Sequence, residues 1–155
     1  MKALGAHIGR VLSGGEVLEL VGDVGAGKTT LTKGIAEGLA ITEPIQSPTF
    51  TISRVYTARN RLMLHHYDFY RLGEAGIMGD ELSEVVAQDD ATIVIEWAGA
   101  VDNILPSDRL TVHIIVTDET DRQVNFMAGG PQSGQLLAAI NQFDHSGEEH
   151  RATTH

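Results

Sequence analysis

The chain has 155 residues, 42% of them hydrophobic and 21% charged, which fits one soluble globular domain around a single core. Eleven basic residues against 21 acidic ones leave a net charge of -10, which argues against an unaided grip on a nucleic-acid backbone but leaves room for a local basic patch. With no cysteine, disulfides and thiolate metal sites are excluded; no apolar stretch is long enough to span a bilayer, no signal-peptide pattern opens the chain, and the expected compartment is cytoplasmic.

Leu4, Ile8, Val11 and Leu12 recur at helical spacing, so residues 2–12 are expected to form a helix that ends at Ser13-Gly14-Gly15. Val17 to Val21 is a short apolar run of the kind found in buried parallel strands. A glycine-rich loop follows from Gly22 to Gly27, and Thr29 to Leu39 reads as a helix. Residues 40–48 are a loop. Phe50 to Thr57 and Leu62 to Phe69 read as a hairpin turning at Ala58-Arg59-Asn60-Arg61. Residues 73–90 predict one or two short helices with Leu82, Val85 and Val86 inward, and Ala91 to Trp97 another buried strand. Residues 98–108 are a short helix or loop. Leu110 to Val116 and Val124 to Met127 read as strands around a turn at Thr117 to Arg122, and Gly134 to Phe143 as a last helix. This order describes an α/β protein whose sheet is made mixed by two hairpins. A single domain is expected over residues 1–143, with a polar tail at 144–155 expected to be disordered.

The loop Gly22-Asp23-Val24-Gly25-Ala26-Gly27-Lys28-Thr29 matches G-x-x-x-x-G-K-[ST] between a strand and a helix. Glycines let successive N–H groups turn onto a phosphate, and the helix aims its positive end at the same place. Lys28 adds a cation for the β- and γ-phosphates, and the Thr29 hydroxyl can ligate magnesium. The candidate nucleotide-binding residues are Asp23, Val24, Gly25, Ala26, Gly27, Lys28, Thr29 and Thr30, with ATP or ADP and Mg2+ as ligands.

A second carboxylate is expected near the metal, at the end of a buried strand. Glu96 closes Ile93-Val94-Ile95 and is that candidate, the alternative being a solvated strand end. Asp68 ends another strand and is a candidate to hold a metal-bound water or orient the attacking one; an ion pair with Arg71 fits the spacing equally well. Thr49, in Ser47-Pro48-Thr49-Phe50, lies where P-loop switches sense the γ-phosphate, or it simply opens a strand after proline. His65 and His66 face opposite sides of a strand, so they cannot share one metal. Trp97 is expected in the core or near the nucleotide. Arg122 is a candidate for stacking on adenine or pairing with a phosphate, or a solvated turn residue.

The stretches GDVGAGKTT at 22–30, SPTF at 47–50, HYDFYRL at 66–72 and IEW at 95–97 resemble, in order and spacing, the TsaE (YjeE) family, the P-loop ATPases of bacterial tRNA threonylcarbamoyladenosine biosynthesis. The resemblance spans about residues 2–128. It implies a P-loop NTPase-like three-layer fold with a mixed, mainly parallel central sheet. It implies that Thr29 and Glu96 serve magnesium, that Asp68 acts in hydrolysis, and that Thr49 is a switch residue. It also implies a slow, partner-dependent ATPase acting with TsaB-like and TsaD-like proteins, TsaD transferring the threonylcarbamoyl group, so that tRNA is met indirectly through the complex. There are two departures. The family commonly carries a few more residues before its first helix, including a threonine near the adenine, where this chain opens Met1-Lys2-Ala3. The family also often has an acidic residue shortly after Glu96-Trp97, where this chain has Gly99. The rival readings are a small-molecule or nucleoside kinase and a nucleotide-gated binding module. The acidic residues Glu74, Asp80, Glu81, Glu84, Asp89 and Asp90, with no Lys or Arg among residues 73–90, make a poor phosphate lid.

Overall fold

The apolar runs become two adjacent central strands, β1 (Val17–Val21) and β4 (Ala91–Glu96), paired in parallel with Leu20 opposite Glu96. The structure, a computed structural model, describes residues 1–46, 53–69, 76–142 and 152–154. Around the central pair lie α1 (Lys2–Val11), α2 (Lys28–Gly38), β2 (Ser53–Thr57), β3 (Met63–Asp68), α3 (Gly76–Val85), β5 (Leu110–Val116), β6 (Arg122–Ala128), α4 (Pro131–Gln142) and β7 (Ala152–Thr154). The strand order is β2-β3-β4-β1-β5-β6-β7. β3, β4, β1 and β5 are parallel, while β2 and β6 fold back as the antiparallel arms of two hairpins. The sheet is therefore mixed and mainly parallel, as expected.

Alternation along the strands assigns each side chain to a layer. Leu18, Leu20, Leu64, Val94 and Val112 pack on the face covered by α1, α2 and α4. Tyr67, Ile93 and Ile95 point the other way, toward Leu82 and Val85 of α3 and toward Val101 and Leu105. Two helical layers thus enclose the sheet. α1 and α2 meet at glycines: a Cβ on Gly5 would run into the Leu31 carbonyl, and one on Gly38 into the Ala6 carbonyl, so the helices touch backbone to backbone.

Two element starts differ from the sequence reading by more than one residue. β6 begins at Arg122, which pairs with Val116, so the ladder runs down to the turn. α4 begins at Pro131, because Asp108 caps it from a distance: its carboxylate accepts the N–H groups of Gln132 and Ser133, both at 2.9 Å. The expected tail includes Ala152–Thr154, which pairs in parallel with Val124–Phe126. Residues 47–52, with the start of the expected Phe50 strand, residues 70–75, and the rest of the tail lie outside the described residues.

Candidate functional site

Three parallel strands end at one place. Asp68 pairs with Glu96, and Glu96 with Leu20, two residues before the glycine loop opens. Ligands in open α/β sheets bind beyond the carboxyl ends of the strands, where the chain connections diverge. Strand alternation puts His66 and Asp68 on the same face of β3 as Leu64, and Glu96 on the same face of β4 as Val94. That face belongs to α2, so these polar side chains turn toward the helix that follows the loop.

Gly25 and Gly27 have φ values of +82° and +115°, in the left-handed region that side chains disfavour. A Cβ at Gly25 would meet no atom of the described residues within 4 Å, so the loop is open toward them there. Among the described residues no side chain caps the N-terminus of α2, which leaves its first N–H groups for an external acceptor. Asp23, Val24, Gly25 and Thr30 are exposed, Thr29 and Gly27 are half-buried, and Ala26 and Lys28 are buried.

Lys28 donates from Nζ to the Gly22 carbonyl at 2.6 Å, and its ammonium lies 3.9 Å from the centroid of the Trp97 ring. Burial pushes its pKa below 10.5, and the negative charges of Glu96, Asp68 and Asp23 oppose that shift. Trp97 is 37% exposed and sits at φ 58°, ψ 53°, a left-handed backbone that is strained for a bulky residue. It roofs the lysine and is not a core residue. A cleft of about 310 Å3 opens beside them, lined by Glu19, Asp23, Lys28, Trp97 and Gly99.

Glu96 is buried, and its Oε2 accepts a hydrogen bond from His66 Nε2 at 2.7 Å. A carboxylate can only accept, so the bond places the His66 proton on Nε2. His66 Nδ1 is buried and without a hydrogen-bond partner among the described residues. His65 faces the other layer and stacks with Tyr67, and burial pushes its pKa below 6.5. The two histidines do face opposite sides, but the sequence reading gave His66 no role beside Glu96. The signal was its spacing of two from Asp68, which puts both on one face of β3.

Arg122 reaches the loop from the β5–β6 turn, donating from Nε to the Ala26 carbonyl at 3.1 Å. It is not a solvated turn residue. Thr49 lies outside the described residues.

The residues suit a magnesium nucleotide. The open glycine loop, the uncapped helix start and a buried lysine are the donor set that phosphates require. Among the described residues no group of three or more His, Asp or Glu forms a metal cage.

The profile of the family described as "Threonylcarbamoyl adenosine biosynthesis protein TsaE" matches residues 1–124. The chain belongs to the TsaE family. It is 40% identical over 135 residues to the tRNA threonylcarbamoyladenosine biosynthesis protein TsaE of Bacillus subtilis (strain 168), covering 84% of this chain and 80% of that protein. It is 41% identical over 138 residues to the TsaE of Nostoc sp., covering 87% and 84%. The crystal structure of Bacillus subtilis YdiB superposes with a TM-score of 0.76 at 35% identity, covering 93% of this chain and 88% of that one. The TsaE resemblance carried by the four motifs is thus shown, together with the fold. Among the described residues no helix is long and apolar enough to cross a membrane.

Proposed function

We propose that this chain is an ATP-binding, weakly ATP-hydrolysing subunit that serves tRNA threonylcarbamoyladenosine modification together with TsaB-like and TsaD-like partners. The observation that carries the reading is the gathering of Lys28, Asp68 and the His66-held Glu96 at the uncapped start of α2, in a chain of the TsaE family.

In this reading the loop amides from Asp23 to Thr30 and the Lys28 ammonium hold the phosphates. Thr29 and Glu96 hold magnesium, which when bound offsets phosphate charge. His66 fixes the Glu96 carboxylate by occupying one of its oxygens, leaving Oε1 for the metal. Asp68 orients the attacking water, and Thr49 senses the γ-phosphate. Lys28 leaves the Gly22 carbonyl when a phosphate takes its place. The net charge of -10 leaves tRNA contact to the partners. Relatives carrying the TsaE name are described as tRNA threonylcarbamoyladenosine biosynthesis proteins, which supports the pathway. A kinase reading has less support: residues 73–90 carry six acidic residues and no Lys or Arg, a poor lid over a transferring phosphate.

The test is co-purification with TsaB-like and TsaD-like proteins with and without ATP, followed by single-turnover ATP assays of the chain alone and in the assembly. ATP-dependent association and faster turnover in the assembly are expected. Phosphorylation of a small acceptor would replace the reading with a kinase, and nucleotide binding without hydrolysis even in the assembly would replace it with a binding module.

A further inference from the structure

Arg122 is the first residue of β6, at the foot of the β5–β6 hairpin. β5 runs parallel to β1, so this hairpin turn lies beside the point where the chain leaves β1 for the phosphate loop. The Arg122 guanidinium donates to three backbone carbonyls: Nε to Ala26 at 3.1 Å, and Nη1 to Asp118 at 3.1 Å and Asp121 at 3.0 Å. The turn is itself fastened. The Asp118 carboxylate accepts the Thr120 N–H at 2.8 Å, the Asp121 N–H at 2.7 Å and the Thr120 hydroxyl at 3.2 Å. Among the described residues no carboxylate lies within ion-pairing distance of the guanidinium.

The consequence lies in the next peptide. No cis peptide bond occurs among the described residues, and in a trans peptide the carbonyl and the following N–H point in opposite directions. Holding the Ala26 carbonyl toward Arg122 therefore turns the Gly27 N–H away from Arg122. Gly27 lacks a Cβ and sits at φ +115°, so its own backbone offers little resistance to rotation of that peptide. On its other side the Gly27 carbonyl accepts the Leu31 N–H at 2.9 Å and opens α2. The loop joint is thus fixed on one side by the helix and on the other by Arg122. A planar fork reaches several carbonyls together, which an ammonium does less well.

We propose that Arg122 is a positioning residue of the phosphate loop: by holding the Ala26 carbonyl on the outside it presents the Gly27 N–H to phosphate on the inside, with no contact to the nucleotide. This rests on the reading that Gly22 to Thr29 binds nucleotide phosphates, and it replaces adenine stacking or phosphate pairing by this arginine.

The experiment compares Arg122→Ala and Arg122→Lys with the unaltered chain, using calorimetry with ADP, ATP and GTP, and the Gly27 amide resonance of the nucleotide-free protein. The loop amides cradle the inner phosphates common to all three ligands. Arg122→Ala is therefore expected to weaken ADP and ATP binding by the same factor, on the order of tenfold, the scale of one hydrogen bond. The Gly27 resonance is expected to move and its amide to exchange faster, with Arg122→Lys recovering part of both effects. A loss confined to ATP would mean direct contact with the γ-phosphate. A loss that differs between ATP and GTP would mean contact with the base. Either would overturn the proposal, as would a Gly27 resonance that does not move. If the unaltered chain binds no nucleotide, the function reading fails, while the Gly27 resonance still decides whether Arg122 sets that peptide. Should Arg122→Ala not fold, Asp118→Ala loosens the same turn and is expected to give the same pattern at smaller size.

Discussion

At the residue scale, the buried hydrogen bond between His66 and Glu96 is the feature that most distinguishes this site from a bare phosphate loop. Glu96 without His66 would be a buried carboxylate free to turn; with it, one oxygen is committed and the other has a fixed direction. If Glu96 serves the metal, Glu96→Ala should weaken nucleotide binding at least about tenfold in magnesium and much less in a chelator, measured by calorimetry. Equal losses in both conditions would make Glu96 structural. Lys28, Thr29 and the glycines were legible in the sequence because their chemistry is contiguous, eight residues read in one stretch. Glu96 and Asp68 were legible as strand ends. Their meeting at the metal was expected from the chemistry, but the register and face that produce it, Asp68 opposite Glu96 on the α2 side, were not legible. The choice for Trp97 between the core and the nucleotide was not legible for a related reason: its left-handed backbone turns the ring onto Lys28, and composition carries no trace of that φ.

At the scale of elements, the long apolar and alternating runs were readable, whereas starts set by distant partners were not. β1 matches the predicted run residue for residue, since five consecutive positions fix a buried strand locally. α4 starts earlier than its own periodicity suggests, since its cap comes from Asp108 on the segment before β5. The Ser133 hydroxyl and N–H, with the Gln132 N–H, hold the Asp108 carboxyl below its ordinary 3.8. Its folded-state value is depressed, so its contribution is complete above the unfolded value and fades as pH falls through the folded one. Asp108→Ala is therefore expected to cost about 1 kcal/mol at neutral pH in urea unfolding. That gap should close as pH drops below 3.8, because the unaltered chain loses the cap while the variant has none to lose. A gap that stays constant through that range would mean that the carboxylate charge is not what holds the helix start.

At the scale of the molecule, the strand order places β1 between β4 and β5, so the loop leaving β1 has Asp68 and Glu96 on one side and the Arg122 turn on the other. Nothing local in the sequence specifies that order; it comes from burying both sheet faces under α1, α2 and α4 on one side and α3 on the other. A ligand at this junction touches parts of the fold that separate in sequence as soon as the sheet opens. The unfolded chain therefore has no comparable site, and binding adds its free energy to folding. At a nucleotide concentration one hundred times the dissociation constant the gain is about 2.7 kcal/mol. For a domain of this size that raises the thermal midpoint by about 5–10 °C. Magnesium ATP is expected to produce such a rise, measured by calorimetric melting. Lys28→Ala should abolish most of it at the same nucleotide concentration, because the ammonium that replaces water at the phosphates is gone. A variant that keeps the full rise would show that the nucleotide is held without Lys28, and the phosphate site would have to be sought elsewhere on the sheet edge.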